Sequence, residues 1–106
     1  MLLYAKWGLH QKLVAEQMEV QKQLPKQLNY RTTHTDVVVG FTSVTNIYKV
    51  IEPKSSIDLV DLETRLRKLS CVGNRRARIK EGASYNYEYR DTAGDLVGMF
   101  EVASCP

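Results

Sequence analysis

The chain has 106 residues with 43% hydrophobic and 25% charged, and a formal charge of +3. That length holds one core, since compact domains commonly run to about 100–150 residues, so residues 1–106 are expected to form a single domain. The longest apolar runs, such as Val37 to Val39, fall far short of the roughly 20 residues of a membrane-spanning helix, and the mild basicity permits contact with nucleic acid or anionic lipid without demanding either.

The opening MLLYAKWGLHQKL has no long apolar stretch and no small-residue cleavage site, so it is not a complete export signal. Two readings stay open: a cytosolic protein, or an exported one whose signal or anchor has been removed, with Met1 to Trp7 as the juxtamembrane remainder. From Ala5 to Leu24 helix formers dominate, interrupted only by Gly8, until Pro25 stops the run. Leu9, Leu13, Val20 and Leu24 share one side, with Val14 and Met18 beside them, while Lys12, Glu16, Glu19 and Lys22 point elsewhere. One amphipathic helix packed on the domain's own sheet is expected, and residues 1–24 are also the candidate tether or partner helix.

THTDVVVGFTSVTNIYKVIEP follows, rich in β-branched and aromatic residues, and predicts strands near Thr35 to Phe41 and Asn46 to Glu52, with Thr42 to Thr45 as the turn. Gly40 marks a bulge or a close backbone approach. Ser55 with Asp58 has the spacing of a capping box. Leu59, Leu62, Leu66 and Leu69 then recur at helical steps, with Asp61–Arg65 and Glu63–Arg67 as i,i+4 pairs. Gly73 is placed to end this helix, and a short helical piece or turn is expected from Asn74 to Glu81.

The last run, SYNYEYRDTAGDLVGMFEV, predicts a hairpin. A four-residue loop Asp91 to Gly94 sets Tyr89 opposite Leu96, Tyr87 opposite Gly98 and Tyr85 opposite Phe100, leaving Asn86, Glu88, Val97, Met99 and Glu101 on the other face. Helix, hairpin, helix, hairpin is an α+β order: a four-stranded, mostly antiparallel sheet with helices packed on one face. A cystatin-like or NTF2-like curved sheet around the first helix is one candidate, and a ferredoxin-like arrangement is less natural because the helices do not alternate with single strands.

Cys71 and Cys105 are the two cysteines. Either they pair, closing a loop of about 35 residues and adding about 3–4 kcal/mol, or they are two separate thiols. Pairing explains a cysteine at the penultimate position and points to an oxidising compartment. No metal site is expected, because the two cysteines with His10 and His34 lack the close ligand pairs of zinc motifs.

QLPKQLNYRTTHTDVVVG, then IYKVIE, Cys71, GASYNYEYRDTAGDLVGMFEV and the final Cys105 resemble small exported two-cysteine proteins and lipoproteins of Gram-negative bacteria, many of unassigned activity. The resemblance covers about Leu24 to Cys105. It implies export and a disulfide.

No reaction centre is legible. His34 with Asp36 reads as an exposed strand-edge histidine and His10 as a helix-surface one, glycines do not form a phosphate-cradling loop, and no G-x-S-x-G stretch is present. Asp58 and Asp61 belong to a capped helix. No catalytic residue and no cofactor is therefore expected.

Tyr85, Tyr87 and Tyr89 admit three readings: core packing, base stacking with Arg75, Arg76, Arg78 and Arg90 on phosphates, or a protein-binding surface. The expected role is a non-enzymatic exported or membrane-tethered domain, on the periplasmic or extracellular side, that binds a protein partner in an envelope or secretion assembly. The alternatives are a cytoplasmic nucleic-acid-binding module using Arg75 to Lys80, and a curved-sheet small-molecule-binding domain or enzyme. A homodimer through an exposed edge strand also suits so small a sheet.

Overall fold

Residues 2–52 and 54–106 are described by the computed structural model. Of the segment expected as tether or partner helix, Met1 lies outside the described residues. Helix α1 spans Leu2–Gln21. It ends before Leu24 because the residue preceding a proline is driven out of the helical region, and the chain leaves through a turn at Lys22 to Leu24 and a cis bond to Pro25. The expected stripe faces the sheet: Leu9 and Leu13 are buried, and Val20 and Leu24 pack against the core.

The sheet has five strands in sequence order: β1 (Lys26–Gln27), β2 (Thr32–Val39), β3 (Ser43–Val50), β4 (Ser84–Arg90) and β5 (Leu96–Val102). The expected four-stranded, mostly antiparallel sheet is corrected on two counts. Strand β1 adds a fifth member by pairing Lys26 with His34 and Gln27 with Thr33. At two residues it is too short to show any periodicity. The central pair β3–β4 is parallel, with Val44 opposite Tyr85 and Tyr48 opposite Tyr89, while the flanking pairs are antiparallel.

The parallel pair follows from the connection. Helices α2 (Leu59–Ser70) and α3 (Gly73–Lys80) form the crossover connection that a parallel pair requires, returning the chain to the end of the sheet where β3 began. Strand β4 therefore starts beside the start of β3. Gly73, at φ +59°, turns the chain from one helix into the next. Asp58 caps α2 by accepting a hydrogen bond from the Asp61 N–H at 3.0 Å, so the cap is Asp58 and not the expected Ser55, which lies in a 3-10 turn at Lys54–Ser56. Both expected i,i+4 ion pairs form.

The first hairpin turns earlier than expected, at residues 40–42, where the Gly40 N–H donates to the Ser43 carbonyl at 2.8 Å. A Cβ at Gly40 would lie 2.5 Å from Ser43 Oγ, so this glycine marks a close approach; the bulge lies at His34–Asp36 instead. Strand-forming Phe41 is thereby left on the turn. In the second hairpin Tyr89 faces Gly98, Tyr87 faces Phe100 and Tyr85 faces Val102, with a bulge beside Arg90. The loop is longer than four residues because the Asp91 carboxylate accepts from the N–H groups of both Ala93 and Asp95, and Gly94 supplies φ +88°. The bulge turns Val97 into the core, against the expectation that it faces outward.

Helices cover one face of the sheet. The core between them contains Leu9, Leu13, Val44, Leu66, Ile79 and Val102 with the aromatic residues of β3 and β4. The opposite face is open, carrying Val38 and Met99 exposed among polar neighbours. Cys71, which ends α2, is bonded to Cys105 beyond β5, with their Cα atoms 5.6 Å apart; the bridge packs against the core and ties the helical layer to the last strand.

Candidate functional site

The alternation of β4 puts Tyr85, Tyr87 and Tyr89 inward, where all three are buried. Their rings form a network across strands. Tyr89 stacks on Tyr48 at 4.7 Å between centroids, Tyr48 stacks on His34 at 4.5 Å, and Phe100 meets Tyr89 edge-on at 6.3 Å. Gly98, opposite Tyr89, is covered by Phe100 and Leu59. Burial pushes the phenols of Tyr85 and Tyr89 up to about 12 and that of Tyr48 higher still, because the charged form would lose water.

The basic helix α3 is divided among tasks. The Arg75 guanidinium lies over the rings of Tyr85 and Tyr87, and its Nη1 donates to Tyr87 Oη at 2.9 Å. Tyr87 Oη and the buried Ser70 Oγ share a hydrogen bond of 2.6 Å. Arg78 is turned toward α1, donating to Glu16 at 3.2 Å and to Glu81 at 2.7 Å. Of Arg75, Arg76, Arg78 and Arg90, singled out from the sequence, only Arg76 is exposed. These arginines and the tyrosines of β4 therefore do not form one open surface, and no tyrosine ring of β4 is open to a stacking base.

Two histidines expected at the surface are held by structure. His34 is only 7% exposed, and its pKa is lowered chiefly by burial, against an opposing backbone hydrogen bond at Asp36. The β2 bulge that carries the chain past Asp36 turns this ring inward. His10 donates from Nδ1 to the carbonyls of Gly40 and Phe41, each at 3.1 Å, and so fastens the first hairpin turn to α1. Among the described residues no cluster of three or more His, Cys, Asp or Glu side chains is placed to hold a metal ion.

The feature that sequence reasoning missed is a cleft of about 250 Å³ between the end of α1 and the end of α2. Its floor is Tyr48 and His34, its sides include Leu24, Leu28 and Leu69, and Arg75 lies at its inner edge. Leu28 and Leu69 are each 50% exposed. Leu69 was expected to complete the buried leucine stripe of α2. It lines the cleft instead and stays half-exposed. Lys26 adds a second cation to the rim. The arrangement offers apolar contact over an aromatic floor with positive charge beside it, and nothing in it resembles a nucleophile–base pair.

No protein-family profile and no curated protein matches the sequence. Solved structures share the fold. A Pseudomonas aeruginosa protein provisionally classed as secreted superposes with a TM-score of 0.82 at 15% identity, over 94% of this chain and 93% of that one. The pilotin of the Vibrio vulnificus type 2 secretion system gives 0.81 at 13% identity, over 93% and 91%. The type II secretion system pilotin of Vibrio cholerae gives 0.76 at 14% identity, over 96% and 95%. From nearly one end to the other, this chain has the fold of a protein classed as secreted and of two type II secretion pilotins, all from Gram-negative bacteria.

Proposed function

We propose that this protein is a non-enzymatic binding domain of the bacterial envelope, which holds an apolar peptide segment of a secretion-assembly component in the cleft between α1 and α2. The observation that carries the reading is the pair of half-exposed leucines, Leu28 and Leu69, that line one cleft together with the nearly buried rings of Tyr48 and His34. Apolar side chains left half-solvated in a cleft gain from an apolar guest, at about 25 cal/mol per Å² covered. Arg75 and Lys26 beside them favour a guest with an acidic residue next to its apolar ones. The disulfide suits an oxidising compartment outside the cytoplasm, and the fold shared with two pilotins favours a secretion assembly as the setting.

A photo-crosslinking residue placed at Leu69 tests this in a Gram-negative host carrying the native secretion system. The expected product is a covalent adduct with one component of that system, absent when the same residue replaces Met99 on the open face of the sheet. Equal adducts from both positions, or none from Leu69, would remove the cleft from the account.

A further inference from the structure

At the end of the molecule opposite the cleft, three aromatic rings lie together on the surface. Trp7 is 53% exposed and Phe41 45% exposed. Both pack on His10, at 5.5 Å between ring centroids in each case, and lie 6.3 Å from one another. Their placement is fixed: His10 holds the turn carbonyls, and Gly40 closes that turn on Ser43. A tight hairpin turn would ordinarily carry small polar residues, so a phenylalanine presented to solvent beside a tryptophan calls for a partner.

In the two chain segments that carry the patch, every charged residue is basic. From Leu2 to Lys12 and from Gly40 to Val44 the chain carries Lys6 and Lys12 and no acidic residue. Lys6 reaches over the Gly82 turn, and exposed Lys80 precedes that turn at the end of α3. The nearby Glu81 is already paired with Lys12 and Arg78. Helix α1 begins at Leu2 and so runs on beyond Trp7 with the sequence Leu-Leu-Tyr-Ala.

We propose that this end of the molecule rests on a phospholipid surface, with Trp7 and Phe41 seated at the interface and Lys6 and Lys80 facing anionic headgroups. Tryptophan and phenylalanine flanked by lysine suit the boundary between headgroups and acyl chains. Helix α1 then stands off the membrane and carries the cleft away from it, by about 20 Å between Trp7 and Gln21 at 1.5 Å per residue. Both ends are free to act together. A second copy of this chain is a poorer occupant, because the like charges of two such patches would face each other.

Trp7 is the one tryptophan of the chain, so its emission reports the contact directly. Purified full-length protein is titrated with vesicles of phosphatidylcholine containing phosphatidylglycerol, and with phosphatidylcholine alone. The expected result is a blue shift and quenching by bromine-labelled acyl chains with the anionic vesicles, weakened by added salt. Phe41→Ser, on an exposed turn, lowers vesicle partition about five- to tenfold, and Lys6→Gln with Lys80→Gln lowers it by a similar factor. Both variants keep the parent melting temperature within a few degrees. Unchanged Trp7 emission at low salt would overturn the proposal, as would Phe41→Ser binding vesicles as well as the parent. Sedimentation showing a dimer that Phe41→Ser dissociates, with no vesicle binding, would assign the patch to a second copy instead.

Discussion

Reducing the Cys71–Cys105 bridge perturbs the fold at the junction of the helical layer and the last strand. The bonded residues are separated by 34 positions, and a closed loop of that size removes about 4 kcal/mol of unfolded-state entropy. An unfolding entropy of about 2.1 cal/mol/K per residue over this length makes that a loss of about 15–20 °C in melting temperature. Thermal unfolding followed by far-UV circular dichroism, with and without reductant, reads the difference, and Cys105→Ser provides a reductant-free control. Hydrogen exchange should accelerate first in β5, whose end is otherwise held by buried Val102 opposite Tyr85. A shift below about 5 °C would mean that packing alone holds the terminal segment, and would refute the loop-entropy argument.

Removing the hydroxyl of Tyr87 by Phe substitution strands buried Ser70 and takes a partner from Arg75; urea unfolding should show a loss of about 1–3 kcal/mol. The Asp58→Ala variant should lose about 1 kcal/mol and Ser55→Ala almost nothing, since Asp58 is the cap of α2; equal losses in chemical denaturation would contradict that assignment. Because the folded pKa of His34 lies below its ordinary value, the unfolded chain binds the proton first. Stability is therefore intact above pH 6.5 and falls as pH drops below it, by at most about 1.4 kcal/mol per pH unit. Denaturation midpoints across that range should show this slope in the parent and lose it in His34→Phe. Tyr85 and Tyr89, with pKa values pushed up to about 12, resist ionisation while folded. Ultraviolet titration should show them deprotonating well above pH 10, with stability declining as pH rises past that value.

Much of the scaffold was legible where local chemistry and burial agree. The leucine spacing of α2, the helix formers before Pro25 and the alternating tyrosines of β4 each have one period and one face to bury. The registers of the hairpins were not legible, because they are set by side-chain bonds such as Asp91 to the backbone of Ala93 and Asp95, and one inserted residue flips Val97 to the other face. The parallel β3–β4 pair was hidden for a different reason: it depends on where the crossover through α2 and α3 sets the chain down, which no local pattern reports. The cleft was hidden because Leu69 looks like any other stripe leucine, and its exposure depends on tertiary placement that the stripe does not report. Arg75 and Arg78 read as a basic run, yet each is committed by a tertiary neighbour, Tyr87 or Glu16, remote in sequence.

The measurement that bears most directly on the proposed role is the affinity of the cleft for its guest. Fluorescent peptides tiling the components of the host's type II secretion system would be titrated with the protein and with Leu69→Asp, which alters an exposed position. The account predicts that one apolar, acidic-flanked segment binds and that Leu69→Asp weakens it tenfold or more while the melting temperature is kept. Binding equally strong in Leu69→Asp, or no segment bound at all, would contradict it.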